Sequence, residues 1–401
     1  MKNKVQPKLI LSRTAQNLQR SVMRDLMSLA VQPDIISFAG GLPASECLPV
    51  QAFKQSIEKV LLEDGSRALQ YGPPDKSLRE WIAGYMADKG VRCSVENIAI
   101  TNGAQQSLAI LSRLFADPGE SAVIEEATFT GIQQVTVGRR LNVMTVPTNL
   151  DSGVDVDAVE ACFRKSPRPK FAIIIPDFHN PLGVTISVQK RKRLCDIAAS
   201  CNIPIIEDDP YSPLRFEGEP VPALKALDRH NKIIYIGSFS KMLAPGIRLG
   251  WIVAPEDIID RITVLRESLD LESSQLMQRA VADFLCMGNL TASLHKLNET
   301  NRRRKVELLD ALEAHFAPMG AHWTTPEGGL FVWVTLNEKI DTWTLFKKAI
   351  EKKVAFIPGT SFAVNGGFQN TLRLNFSNVR DGMLEEGIRR LASIVKLKAG
   401  A

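Results

Sequence analysis

Lys241 stands in a turn of small residues, Gly237-Ser238-Phe239-Ser240-Lys241, directly after the apolar run Ile233-Ile234-Tyr235-Ile236. Such a run, bounded by Gly and Ser, reads as a buried strand. Two hydroxyls, Ser238 and Ser240, lie close to the amine, and a guanidinium, Arg248, follows seven residues on. An amine that can lose its charge can form an imine, and hydroxyls with a guanidinium can hold a phosphate. The combination points to a Schiff-base lysine for pyridoxal phosphate. Alone, this pattern reads first as a surface lysine after a strand, so the rest of the chain must supply the other parts of such a site.

Those parts are a phosphate cup, a stacking face, an acid against the pyridine nitrogen and a donor to the ring oxygen. The cup candidate is Thr101-Asn102-Gly103-Ala104-Gln105-Gln106. A glycine where a strand gives way to a helix frees N–H groups at the helix N-terminus, which binds anions. Gly103, Ala104 and Gln105 would supply them, joined by Ser238, Ser240 and Arg248; an ordinary helix start would look the same. Phe129 could stack on a heteroaromatic ring, or pack in the core. Glu207-Asp208-Asp209 closes the apolar run Ile205-Ile206. Asp208, buried against a pyridine nitrogen, would keep it protonated, which makes the ring an electron sink; an exposed acidic loop is the competing reading. Asn180, in His179-Asn180-Pro181-Leu182-Gly183, and Tyr211 are the candidate donors to the ring oxygen.

The elements that must position these groups alternate along the chain. Short apolar strands are expected at 98–101, 122–124, 143–146, 171–175, 204–207, 233–236 and 249–254, and helices follow most of them. This order predicts an α/β protein with a mostly parallel sheet covered on both faces. Ligands in such sheets bind at the carboxyl ends of the strands. Beyond residue 255 long helices dominate to about 317. Strands are then expected at 330–334, 354–357 and 372–376, an α+β segment that would pack with the N-terminal lead. That lead carries a helical patch over 21–30.

Composition narrows the classes. In 401 residues, 45% are hydrophobic and 23% charged, which suits a globular protein with a sizeable core. A formal net charge of +5 with interleaved signs calls for neither nucleic acid nor membrane. No apolar run reaches the length of a spanning helix, and no signal peptide is evident. Six scattered cysteines form no C-x-x-C pair, and five dispersed histidines give no metal-ligand spacing. Disulfides and metal are unsupported, and a cytoplasmic protein is expected.

Taken together, these stretches resemble the class I/II aminotransferases of the fold-type I pyridoxal phosphate superfamily, in particular the 2-aminoadipate (kynurenine-type) branch. Further matching stretches are Ser37-Phe38-Ala39-Gly40-Gly41-Leu42-Pro43, Leu69-Gln70-Tyr71-Gly72, Pro245-Gly246-Ile247-Arg248 and Leu372-Arg373-Leu374-Asn375. The resemblance implies a seven-stranded, mostly parallel sheet in a large domain over 46–285. A smaller α+β domain would combine an N-terminal arm over 1–45 with residues 286–401. It implies transamination between an L-amino acid (2-aminoadipate, glutamate-like or aromatic) and a 2-oxo acid such as 2-oxoglutarate. It also implies that Lys241 carries the cofactor and moves the proton, that Asp208 pairs with the ring nitrogen, and that Asn180 and Tyr211 bond the ring oxygen. Arg373 would clamp the substrate carboxylate, with Asn180 beside it, and Gly40 would let backbone approach the substrate. Tyr71 would reach the neighbour's phosphate across a homodimer with shared active sites. Arg24 would read a substrate side-chain carboxylate, or else be a solvated helix arginine paired with Asp25 or Asp34.

The chain departs from that pattern in places. Phe129 stands where the branch usually has tyrosine, Leu182 replaces a threonine, and His179 replaces a common glutamine. The loop after Tyr71 is about two residues shorter than usual. The same cofactor cage could serve a β-lyase, racemase or decarboxylase. A ligand-sensing module is the third reading, since such domains occur fused to DNA-binding domains; the roughly 35 residues before the Gly-Gly-Leu-Pro stretch are too short for one.

Overall fold

The computed structural model describes Leu11, residues 13–16, Gln32 and residues 34–399. The helix expected over 21–30, and Arg24 with it, lies outside the described residues. Asp34, one of the alternative partners of Arg24, is paired with Lys353 at 2.7 Å.

Seven apolar segments form one sheet: β1 (Ile98–Thr101), β2 (Ser121–Glu125), β3 (Asn142–Val146), β4 (Phe171–Ile174), β5 (Ile205–Asp209), β6 (Ile233–Ser238) and β7 (Gly250–Val253). Their spatial order is β1-β7-β6-β5-β4-β2-β3. Every pairing is parallel except those of β7, which runs antiparallel to both neighbours. The sequence explains why both faces are buried. Alternate residues of one strand enter different cores: Ile206, Ile234 and Ile252 face one cluster, while Ile205 and Ile233 face another. Helices cover both sides, so the strands read as continuous apolar runs rather than as alternation.

A second, antiparallel sheet joins His322–Trp323, Phe331–Thr335, Thr371–Asn375 and Ile357–Pro358 in that order. It packs with the helix Leu384–Ala399 and the end of the long helix Asn289–His315 around Trp333, Phe346, Leu374 and Ile388. A short parallel pairing of Ile36–Ser37 with Val354–Ala355 ties the N-terminal segment to this unit. Phe38 then donates to the Ala355 carbonyl (2.8 Å) and accepts from Asn375 N (2.8 Å). This delivers Ala39, Gly40 and Gly41 to the space between the two sheets.

Three details differ from expectation. The segment 354–357 is two strands with different partners, since Val354–Ala355 pairs with Ile36–Ser37 while Ile357–Pro358 pairs with Arg373 and Leu372. The two-residue strand His322–Trp323 and the hairpin Thr148–Asn149/Gly153–Val154 were not anticipated. β5 continues through Asp208 and Asp209, so the three acids lie in or at the end of a buried strand, not in an exposed loop.

Candidate active site

A cavity of about 310 Å³ opens at the carboxyl ends of β1, β4, β5 and β6. Lys241, Asp208, Asn180, Tyr211, Arg373, Ser238, Ser240, Arg248, Ala104, Gln105 and Phe129 all line it. A larger polar groove of about 990 Å³ lies at the opposite strand ends, near Arg92, Lys225 and Glu256. It gathers neither a turn-borne lysine nor an anion cup, so size does not decide where the chemistry is.

Lys241 sits on the single helical turn Phe239–Met242 that follows β6, where the strand exit fixes its direction. Its Nζ donates to the Gly41 carbonyl at 2.6 Å. Burial, then the positive charges of Arg373 and Arg248, lower its pKa to about 8. Arg373, in the middle of Thr371–Asn375, is buried. Its Nη1 donates to Asn180 Oδ1 (2.8 Å) and its Nη2 to the Ala39 carbonyl (2.6 Å). Two rings enclose the guanidinium, Phe331 at 4.2 Å and Phe362 at 4.8 Å. Burial lowers its pKa to about 10, so it stays charged at neutral pH. No carboxylate among the described residues is paired with it, and its Nε has no partner.

The three acids of β5 divide by strand alternation. Glu207 accepts from the Leu224 and Lys225 amides (2.7 and 2.8 Å) and so holds the start of the short helix Leu224–Leu227. Asp209 points to the same side and meets Lys89 Nζ (2.6 Å), Tyr235 Oη (2.8 Å) and Ser212 Oγ (2.6 Å). Burial opposes its charge, but Lys89 prevails and its pKa is lowered. Asp208 points the other way, into the cavity. It is buried and its Oδ1 has no partner. Burial, then the Asp209 charge, raises its pKa to about 7. Beside it Tyr211 Oη lies 3.3 Å from Asn180 Nδ2, and burial raises its pKa.

The anion cup is built on backbone. Gly103 caps the helix Ala104–Phe115 with φ of 88°, a conformation that side chains rarely adopt. A Cβ there would also come within 2.7 Å of Arg248 Nη2. Arg248, itself at φ of 57°, donates to the Asn102 carbonyl (3.0 Å) and to Ser240 Oγ (3.4 Å). Glycine, two serines, an arginine and a helix N-terminus thus converge. Phe129 immediately precedes the helix Thr130–Thr136 and forms one wall.

These residues fit pyridoxal phosphate. The orphaned Asp208 Oδ1 suits a protonated ring nitrogen, the Gly103 cradle suits a phosphate, and Lys241 with a pKa near 8 suits a carbonyl carbon. The chain matches the family description "Aminotransferase class I and II" over residues 33–391, and it belongs to that family. It is a pyridoxal-phosphate-dependent transaminase. The chain is 38% identical over 392 residues to aromatic-amino-acid aminotransferase 1 of Thermococcus litoralis, covering 96% of this chain and 94% of that one. It is 35% identical over 387 residues to the 2-aminoadipate transaminase of Thermus thermophilus, covering 95% of each. Among solved structures, the kynurenine aminotransferase of Pyrococcus horikoshii superposes with a TM-score of 0.92 at 34% identity over 98% of both chains.

Two of the expected residues do not line this cavity. Gly40 is buried with its carbonyl engaged by Asn375 Nδ2, and its neighbour Gly41 lines the cavity. Tyr71 is 87% exposed and lines no part of its own chain's cavity. Thr130, Ile175 and Pro210 complete the wall unforeseen; only their places after strands could have flagged them. Lys89 gave no signal at all, because its partner Asp209 is 120 residues away. His179 is buried with Nε2 3.0 Å from Glu125 Oε2, one layer behind Asn180.

Proposed function

We propose that this transaminase moves the amino group of 2-aminoadipate, a glutamate-like or an aromatic amino acid to a 2-oxo acid such as 2-oxoglutarate. It would work in the cytoplasm as a homodimer with shared active sites. One observation carries the reading of the site: among the described residues two buried groups of the cavity are left incomplete, the charged Arg373 guanidinium with no carboxylate paired to it and the Asp208 carboxyl with an unpartnered oxygen. Unpaired buried charges are costly unless a ligand completes them. A substrate α-carboxylate completes the first, and a ring N–H completes the second. The substrate classes are supported by the aromatic-amino-acid and 2-aminoadipate enzymes that the chain is similar to. Six free cysteines fit a reducing compartment, and no described helix is long and apolar enough to cross a membrane.

When bound, pyridoxal phosphate supplies a carbonyl that takes up the amino group and a ring that draws electrons from Cα. The chain does the rest. Ala104 and Gln105 amides, Ser238, Ser240 and Arg248 hold the phosphate. Phe129 packs on the ring face, and Asn180 and Tyr211 donate to the ring oxygen. Asp208 keeps the ring nitrogen protonated, and that cation in turn draws the carboxyl below its ligand-free value of about 7. Arg373 binds the α-carboxylate through its two terminal nitrogens and fixes which bond at Cα faces Lys241. The Lys241 pKa, lowered to about 8 by burial and by Arg373 and Arg248, makes an uncharged amine accessible near neutral pH. That amine would take the Cα proton and return it to the carbon that was the cofactor's carbonyl, on the other side of the nitrogen. A second oxo acid reverses the sequence, which gives ping-pong kinetics.

The test is the visible spectrum of the cofactor-loaded protein as single amino acids are added. Wild type should show a band from the lysine-bound cofactor that bleaches, with one oxo acid released per site. Lys241→Ala should lack both the band and the turnover. The amino acid that bleaches fastest identifies the substrate class. Release of ammonia or carbon dioxide with the band intact would replace transamination by a lyase or decarboxylase.

A further inference from the structure

An acid sits behind the anion cup, where a phosphate would be expected to disfavour it. Asp270 Oδ2 accepts from Asn102 Nδ2 at 2.5 Å and from Gln106 Nε2. Arg266 answers the charge: its Nε and Nη2 reach the two Asp270 oxygens at 3.2 and 3.3 Å. Arg266 is itself buried and anchored, by the Ile100 carbonyl, Glu272 Oε1 (2.8 Å) and Ser273 Oγ (3.2 Å). The acid is therefore compensated, and what it contributes to the cup is geometry.

That geometry converges on one peptide. Gln106 Oε1 accepts the Asn102 backbone N–H at 2.6 Å, and the Asn102 carbonyl accepts from Arg248 Nη2 at 3.0 Å. With its side-chain N–H held by Asp270, Asn102 is tied at its backbone N–H, its backbone carbonyl and its side chain. Asn102 immediately precedes Gly103, whose φ of 88° starts the helix Ala104–Phe115. The first N–H groups of a helix have no internal partners, so their direction is set by how the chain enters. A half-buried turn entered through a glycine has little stiffness of its own.

We propose that Asp270 is a positioning residue for the phosphate. It fixes the Asn102–Gly103 turn, through Asn102 and Gln106, so that the helix N–H groups and Arg248 aim at one point. The inference rests on the pyridoxal phosphate reading of the cavity and adds to it a residue that does not touch the cofactor.

Charge and geometry predict opposite signs, which makes the test decisive. If only charge mattered, neutralising Asp270 would strengthen phosphate binding. If the strut matters, it would weaken it. The experiment titrates the cofactor-free protein with pyridoxal phosphate and, separately, with pyridoxal, which keeps the ring and aldehyde but lacks the phosphate. Binding is read from the absorbance of the lysine adduct. Asp270→Asn should raise the Kd for pyridoxal phosphate about tenfold, the scale of one charge-assisted hydrogen bond, and leave that for pyridoxal within about twofold. Gln106→Leu breaks the same strut while leaving the Arg266–Asp270 pair intact, so it decides the matter should Asp270→Asn fold poorly; the same selective loss is expected. Equal losses for both ligands, tighter pyridoxal phosphate binding, or no change in either variant would overturn the proposal. If wild type itself forms no adduct with pyridoxal phosphate, the reading of the cavity fails instead.

Discussion

Three carboxyls in succession, Glu207, Asp208 and Asp209, end in three environments: burial raises the first two to about 7, Lys89 lowers the third, and only Asp208 has an oxygen left unpartnered. Asp208 carries a pKa of about 7 in place of 3.8, because it is buried and the charge of its chain neighbour Asp209 opposes its ionisation. Its native form therefore holds a proton that the unfolded chain has lost between about pH 4 and 7. Where the native state binds more protons, the free energy of unfolding falls as pH rises. The destabilisation is absent below about pH 4 and complete above about pH 7. Cofactor-free Asp208→Asn should consequently melt at a higher temperature than wild type at pH 8, and the gap should close on acidification to pH 4. A gap independent of pH would contradict the assignment. The same variant should bind pyridoxal phosphate more weakly, since the ring nitrogen loses its anion. Stability and function pull apart at this residue, as expected where a site is completed by its ligand.

At the scale of elements, β5 succeeds as a scaffold only because a helix far away in sequence neutralises its end. Lys89 follows the helix Lys76–Asp88 and donates to Asp209, Ser212 and Tyr235 Oη. Asp209 is almost fully buried, while the Lys89 side chain is 18% exposed. Removing one partner of such a pair strands the other, at a cost of about 3–5 kcal/mol. Lys89→Met should show a loss of that order in urea denaturation, and adding Asp209→Asn should recover part of it. A loss no larger than that of a surface substitution would show the pair to be dispensable. None of this was legible in the sequence. The strands were, because a strand buried on both faces must be apolar throughout, and the turns after them carried Lys241, Asn180 and Gly103. The antiparallel run of β7 was not, since apolar content reads the same in either direction. The break in 354–357 was equally hidden, because Val354-Ala355-Phe356-Ile357 is uniformly apolar although its halves have different partners. Asp270 escaped notice for the reason Lys89 did: its contacts to Asn102 and Gln106 span 168 and 164 residues.

For the whole molecule, the informative surface surrounds Tyr71. Leu61 and Leu62 on the helix Val50–Asp64, Leu69 after it, Leu269 and Leu271 before the helix Gln275–Cys286, and Met287 behind it are all exposed. The two helices pack on each other, and Gln275 at the start of the second donates to the Gly72 carbonyl beside Tyr71. Exposed apolar clusters of this kind mark interaction surfaces, and a second copy of the chain is the occupant proposed above. A shared site makes a prediction that no single variant can. Lys241→Ala should be inactive, and Tyr71→Ala should hold pyridoxal phosphate weakly and turn over slowly. In a mixed dimer, one site then combines both defects. The other takes Lys241 from the Tyr71→Ala subunit and Tyr71 from the Lys241→Ala subunit, and is intact. Unfolding and refolding the two variants together should pair them at random, so that half the dimers are mixed and half the sites of those dimers are whole. Activity should return to about a quarter of the wild-type value per chain. Activity no greater than that of the separately refolded variants would mean that Tyr71 serves its own subunit or none, and the exposed apolar face would then need a different occupant.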